Sequence, residues 1–106
     1  MNPVNSIEKT EFSPRFPLGQ IVSTPGALQR LAQEQIPAVA LLRRHVSGDW
    51  GECSEEDTQT NNAALRCGAR LFSVYFLDGS HQPDKRIWVI TEADRSTTTL
   101  LLPEEY

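Results

Sequence analysis

The sequence has no hydrophobic run long enough to cross a membrane. Its longest apolar stretch is IPAVALL at residues 36–42, whereas a membrane-spanning helix needs about 18 residues or more. The first residues, MNPVNSIEKTEF, are polar and include acids, so they do not resemble a secretory signal. These absences predict a cytoplasmic protein with no membrane partner.

Cysteine and basic residues are also few. Two cysteines, Cys53 and Cys67, are too few for a disulfide scaffold and suit a reducing compartment. The formal net charge of -4 differs from the basic surface of a general nucleic-acid-binding protein. Eight of the ten basic residues are arginine, which favours bidentate and stacked contacts at a local site.

The chain also shows no internal repeat and no second domain. A length of 106 residues is that of one domain with one core. Residues 1–17 hold three prolines and no apolar periodicity, which predicts an irregular N-terminal arm. A single domain is therefore expected over residues 18–106.

Three helices are predicted between residues 24 and 67. Thr24 and Pro25 begin the first, because threonine caps free backbone amides and proline is pre-set for the first turn. The second begins after Pro37 and runs to about His45. It is expected to bury Val39, Leu42 and Val46. Ser54 caps the third helix, which ends before Gly68.

Strand patterns lie on both sides of the helices. LGQIVST at residues 18–24 predicts a short strand, and ARLFSVYFL, RIWVITE and STTTLLL predict three more after residue 68. The fold class expected is α+β: a short N-terminal strand, three helices, then a three-stranded antiparallel β-meander with the helices packed on one face.

The expected loops set the register of the meander. With residues 78–85 as the first loop, Leu77 pairs with Arg86. The core face then carries Phe72, Val74, Phe76, Ile87, Val89, Thr91, Thr98, Leu100 and Leu102. The opposite face carries a second apolar and aromatic set, namely Leu71, Tyr75, Trp88, Ile90 and Leu101.

That second set has the composition of an interface centre. It predicts a binding surface for a protein partner or for self-association. The alternative is that the N-terminal arm, with Ile7, Phe12 and Phe16, folds back across the same face and covers it.

A catalytic interpretation rests on His45, Arg86, Glu92 and Arg95. A metal-independent ribonuclease needs a base, an acid and cationic groups that stabilise the phosphate. Helices followed by an antiparallel sheet also resemble barnase-like and toxin nucleases in layout. The competing interpretation is structural, since His45 suits the negative end of its helix and Arg95 lies in a hairpin tip.

No metal or cofactor is expected. The potential ligands His45, Cys53, Cys67 and His81 lack zinc-site spacing. The two cysteines bracket a predicted helix and would lie roughly 20 Å apart. The acids near residue 55 lack the calcium-loop pattern, and the glycines of HVSGDWGE at residues 45–52 do not form a nucleotide-binding motif.

The HVSGDWGE stretch has a structural interpretation. Gly48 is expected to end the second helix, and Trp50 to place an aromatic anchor in or beside the core. The residues that follow lead into the Ser54 cap.

Three segments carry a family resemblance. LGQIVSTPGAL, HVSGDWG and RIWVITEADRSTTTLLLPEEY resemble a group of small uncharacterised bacterial proteins associated with plasmids and other mobile elements. The resemblance covers residues 18–106. It implies a genomic setting and no established activity, cofactor or catalytic residue. The sequence thus favours a non-enzymatic accessory protein that binds another protein, with a small ribonuclease or RNA-binding protein as the alternative.

Overall fold

The computed structural model describes residues 14–79 and 82–106. The elements in order are β1 (Gln20–Ser23), α1 (Pro25–Gln33), α2 (Ala38–Val46), α3 (Glu55–Cys67), β2 (Leu71–Phe76), β3 (Arg86–Thr91) and β4 (Thr97–Leu101). Short 3-10 turns, Pro83–Lys85 and Pro103–Glu105, precede β3 and follow β4. The predicted α+β class and the three helices are confirmed. Within the described ranges, no helix has the length and hydrophobicity to cross a membrane.

The sheet has four strands and is mixed, so the predicted three-stranded antiparallel meander is wrong. The strand order is β1-β4-β3-β2. β3 is antiparallel to both neighbours, whereas β1 lies parallel to β4, with Gln20 beside Thr97. The prediction failed because parallel strands join residues far apart in the chain, and no local pattern marks such a pair.

The register prediction is correct for one hairpin and wrong for the other. Val89 lies opposite Leu100, as expected. Tyr75, and not Phe76, lies opposite Ile87. The Leu77 amide donates to the Lys85 carbonyl oxygen at 2.8 Å, so the loop is one residue shorter than predicted. A shift of one residue moves every β2 side chain to the other face of the sheet.

The main core lies between the sheet and helices α1 and α2. It contains Ala27, Leu31, Leu41, Leu42, Tyr75, Leu77, Ile87, Val89, Leu100 and Leu102. A second cluster contains Phe16, Val46, Trp50, Ala64 and Leu71. Trp50 is therefore the predicted aromatic anchor. Val39, expected in the core, is 56% exposed, and Leu41 is buried on α2 in its place.

The helix boundaries follow local chemistry, as predicted. The Thr24 hydroxyl accepts from the Ala27 amide at 3.1 Å, and the Ser54 hydroxyl accepts from the Asp57 amide at 3.0 Å. Gly68 follows α3 with a left-handed φ of 76°. Each cap satisfies a backbone group that the helix itself leaves free.

The outer edge of β2 is closed by side chain and loop. Asn61 donates its amide Nδ2 to the Phe72 carbonyl oxygen at 2.7 Å and accepts from the Phe72 amide at 3.0 Å. The Val74 amide donates to Trp50 O at 3.1 Å, and the Glu52 amide donates to Val74 O at 2.7 Å. The HVSGDWGE stretch thus forms a short parallel bridge at the edge of the sheet.

Gly51 makes that bridge possible. Its φ is 74°, and a Cβ atom there would lie 2.0 Å from the Val74 carbonyl oxygen. Only glycine allows both the left-handed backbone and this close approach. Packing against β2 thus explains Gly51, the second glycine of the stretch.

Candidate functional site

His45 lies in the last turn of α2 and has 0% exposure. Its Nδ1 is 2.6 Å from the Ser73 hydroxyl, and its Nε2 is 2.9 Å from the Thr91 hydroxyl. The ring also packs edge-on against Phe16 and Trp50, with centroids 5.3 Å and 5.7 Å away. Both ring nitrogens therefore have partners inside the core.

The hydrogen-bond chain determines the tautomer of His45. Thr98 donates its hydroxyl proton to the Leu18 carbonyl oxygen at 2.7 Å. The Thr91 hydroxyl, 2.7 Å from that of Thr98, must then donate to it. Thr91 has no second proton, so its oxygen accepts from Nε2–H of His45, and Nδ1 accepts from Ser73. We assign a neutral imidazole protonated on Nε2.

Burial lowers the pKa of His45 from 6.5 to about 4, and the charge of Arg95 adds to this effect. A neutral histidine with no exposed nitrogen cannot reach a substrate proton. Its position makes it a structural residue that joins α2 directly to β2 and β3, and to β4 through Thr91.

The other predicted catalytic residues do not meet His45 in a cleft. The Arg95 guanidinium donates to the carbonyl oxygens of Ala64 and Ala69, at 3.0 Å and 2.6 Å, and so ties the β3–β4 hairpin to the end of α3. Arg86 begins β3 and Glu92 follows its far end, which separates them by roughly 20 Å at about 3.3 Å per residue. The set that a ribonuclease would need is not assembled.

The predicted binding surface is divided between two faces. Leu71 and Tyr75 are fully buried in the clusters under the helices. Trp88, Ile90 and Leu101 lie on the opposite face, which we call the outer face. Because β2 is shifted by one residue, Phe72 and Val74 occupy the places beside Ile90 and Trp88.

Tyr75 instead has a role inside the fold. Its hydroxyl donates to the Asp49 carbonyl oxygen at 2.6 Å, and the Arg44 guanidinium lies 4.5 Å from its ring centroid. Burial raises the pKa of the Tyr75 hydroxyl well above its usual value of 10. These contacts hold the HVSGDWGE stretch against β2.

The outer face contains a groove of about 480 Å³ that the α3 helix borders on one side. We call it the aromatic groove. Its lining residues are Asp57, Thr60 and Asn61 of α3, with Ala69, Arg70, Phe72, Trp88, Ile90 and Tyr106. A volume of this size is in the range of known ligand pockets.

Aromatic rings form much of the groove. The Trp88 ring meets Phe72 at 5.0 Å and Tyr106 at 5.6 Å, both at steep interplanar angles. The Arg70 side chain donates to the Tyr106 hydroxyl at 2.9 Å. The groove therefore combines an apolar floor with one cation and, at Asp57, one carboxylate.

Trp88 also leaves a donor unused. Its Nε1 is buried and has no hydrogen-bond partner within residues 14–79 and 82–106. A buried indole N–H normally finds an acceptor. This donor is the strongest chemical feature of the groove.

Sequence reasoning found part of this site. Alternation identified Trp88 and Ile90, because it places them on the same face regardless of the β2 register. It missed Phe72 because of the register shift, and it missed Arg70 and Tyr106 because they follow no strand pattern. The one available signal for Tyr106 was its aromatic side chain, which follows the predicted last strand by a few residues.

Potential metal ligands remain separate in the described ranges. No group of three or more histidine, cysteine or acidic side chains comes together there. Cys53 and Cys67 are free thiols, and burial raises the pKa of Cys53. His81, and the arm residues Ile7 and Phe12, lie outside the described residues. Phe16 packs in the second cluster, under the helices and away from the outer face.

The geometry of the aromatic groove therefore carries the functional argument. The resemblance to plasmid-associated bacterial proteins stays a prediction. Comparisons with protein-family models, with curated proteins and with solved structures found no match to this chain.

Proposed function

We propose that this chain is a non-enzymatic protein-binding module that holds a segment of a partner protein in the aromatic groove. The observation that carries the proposal is the buried Nε1–H of Trp88, which lacks an acceptor within the described residues and lies beside a groove floored by half-buried aromatic rings. A donor left in this state costs about 1–3 kcal/mol. Because this nitrogen is buried, the Trp88 ring must turn toward the groove before a partner's carbonyl or carboxylate oxygen can supply the missing hydrogen bond.

The chain's own Tyr106 shows what the groove accepts. Its ring rests on Trp88 while its hydroxyl accepts from Arg70. Tyr106 is mostly exposed, whereas Ile90 of the floor is buried and Phe72 and Trp88 are half-buried. The partner segment we propose carries a bulky apolar or aromatic side chain next to an oxygen acceptor, a combination typical of interface anchors.

For the setting, we propose the cytoplasm of a bacterium and association with a plasmid or another mobile element. The resemblance of HVSGDWG and the two flanking segments supports the genomic setting. The free thiols of Cys53 and Cys67 support a reducing compartment. No contact in the described residues favours the ribonuclease, and the carboxylate of Asp57 offsets Arg70 as a site for RNA.

The test fills the groove from its α3 wall. Thr60→Trp adds a large side chain at an exposed lining residue, and Gln59→Trp adds the same side chain one residue earlier, outside the lining. Both variants and the native chain are used to capture partners from a bacterial lysate, and the affinity for the recovered protein is measured by calorimetry.

We expect Thr60→Trp to weaken binding at least tenfold and Gln59→Trp to leave it within about twofold. Trp88→Phe keeps an aromatic floor but removes the N–H, and should weaken binding roughly fivefold to tenfold. Equal binding by native chain and Thr60→Trp, or capture of RNA that Thr60→Trp does not change, would overturn the proposal.

A further inference from the structure

The two edges of the sheet differ in whether their backbone groups have hydrogen-bond partners. The outer edge of β2 is closed by Asn61 and by the backbone of residues 50–52. Among the residues that the structure describes, none covers the outer edge of β1 in this way. The Gln20 and Thr24 amides donate to the carbonyl oxygens of Ser96 and Leu100. The alternate residues Ile21 and Ser23 therefore direct their N–H and C=O groups away from the sheet. Within residues 14–79 and 82–106, none of these outward groups has a backbone partner.

The side chains of β1 also lack the usual protection of an edge strand. The strand QIVS contains no charge and no proline. Ile21 is 50% exposed and Val22 is 37% exposed. Natural edge strands with free backbone groups usually carry lysine, proline or a bulge, because an open apolar edge pairs with other strands.

We propose that β1 pairs with the β1 strand of a second copy of this chain, in an antiparallel arrangement that joins two sheets into one of eight strands. With the two-fold axis at Val22, Ile21 lies opposite Ser23 of the second copy. The two outward residues on each side then exchange four backbone hydrogen bonds. Val22 meets Val22 of the second copy on the outer face, next to Thr99.

A second copy fits this edge for two reasons. The strand is self-complementary about its centre, as a two-fold interface requires. It is also uncharged, so no like charges meet at the axis although each chain has a net charge of -4. The contact is short, which predicts a weak dimer that forms as the concentration rises.

The dimer contact and the aromatic groove are separate. The groove is lined by residues of α3, β2 and β3 together with Ala69, Arg70 and Tyr106, none of which belongs to β1, and β4 lies between β3 and β1. Thr60→Trp should therefore leave self-association unchanged. Failure of one proposal does not entail failure of the other.

The test is sedimentation equilibrium of the full chain over roughly 5–500 µM. We expect the mass to rise from monomer to dimer with concentration. Ser23→Pro removes one outward N–H that β4 does not use, and Val22→Lys places two like charges at the axis. Each should raise the dissociation constant at least tenfold, with an unchanged circular dichroism spectrum.

Val39→Lys is the matched control, because Val39 is an exposed apolar residue on α2. It should dimerise as the native chain does. A native chain that stays monomeric at 500 µM overturns the proposal. Dimers that survive both Ser23→Pro and Val22→Lys, or that Val39→Lys disrupts equally, overturn it as well.

Discussion

His45 is the residue whose role the surroundings change most. A histidine in this part of the sequence could serve as a catalytic base. Its contacts show instead a buried side chain that hydrogen-bonds α2 to β2 and β3, and through Thr91 to β4. Its ring completes a chain from Ser73 through Thr91 and Thr98 to the Leu18 carbonyl oxygen. Such a chain holds the core in one arrangement because each member has a single compatible proton position.

The buried imidazole predicts a loss of stability in mild acid. The pKa of His45 is about 4 in the folded chain and 6.5 in the unfolded chain, so the unfolded state binds the proton first as the pH falls. The contribution of the neutral His45 side chain to the free energy of unfolding is complete above pH 6.5, decreases between pH 6.5 and pH 4, and is lost below pH 4. The free energy of unfolding should fall by about 3 kcal/mol across the window.

Urea denaturation at pH 7.5 and pH 4.5 measures this difference. His45→Gln keeps a donor and an acceptor but cannot be protonated in this range. It should be less stable than the native chain at pH 7.5 and show a flatter dependence on pH. An equally steep dependence in His45→Gln would assign the effect to other groups.

Among the elements, the part of the β2 edge at Phe72 is closed by one amide side chain, whereas the backbone of residues 50–52 closes the edge at Val74. Asn61 reproduces the hydrogen-bonding pattern of a neighbouring strand with both of its polar atoms. An acid at this position has no donor for the Phe72 carbonyl oxygen. The edge therefore requires an amide and cannot use a carboxylate of the same shape.

Asn61→Asp should lower the free energy of unfolding by about 2–3 kcal/mol at pH 7, because a charged oxygen would face the Phe72 carbonyl oxygen. Asn62→Asp is the control. The Asn62 side-chain oxygen accepts from the Trp50 indole N–H at 3.0 Å, and a carboxylate can do the same. Its stability should change by less than about 0.5 kcal/mol.

Chemical denaturation of both variants at pH 7 provides the comparison. The stability difference between Asn61→Asp and the native chain at the same pH should become smaller near pH 4, as the aspartate carboxyl group becomes protonated. If the two variants lose stability equally, the Asn61 contacts do not hold the β2 edge.

In the whole molecule, the two faces of the single sheet have different surroundings. Helices α1 and α2 cover one face, and the aromatic groove lies on the other. The two tryptophans report on different surroundings, since Trp50 is buried in the second cluster and Trp88 is half-buried on the outer face. Strands β2 and β3 contribute side chains both to the core under the helices and to the aromatic groove.

Unfolding should therefore occur in one step that both tryptophans report. Trp88→Phe leaves only Trp50, and Trp50→Phe leaves only Trp88. In each variant the fluorescence midpoint in urea should coincide with its own circular dichroism midpoint, because a shared sheet makes unfolding cooperative. A fluorescence midpoint in Trp50→Phe that precedes the circular dichroism midpoint would show that the outer face opens separately.

The sequence by itself determined the features that depend on neighbours in the chain. Thr24, Ser54 and Gly68 set helix boundaries through contacts within a few residues, so their roles were predictable. The α+β class and the β3–β4 register followed from the same local order.

Only the tertiary structure decided the rest. The parallel β1–β4 pair joins distant segments, and the β2 register depends on a loop whose internal turn has no clear sequence pattern. The neutral state of His45 and the unpaired Trp88 donor arise from side chains brought together by folding. These outcomes depend on contacts between residues far apart in sequence, where local patterns carry no information on partners.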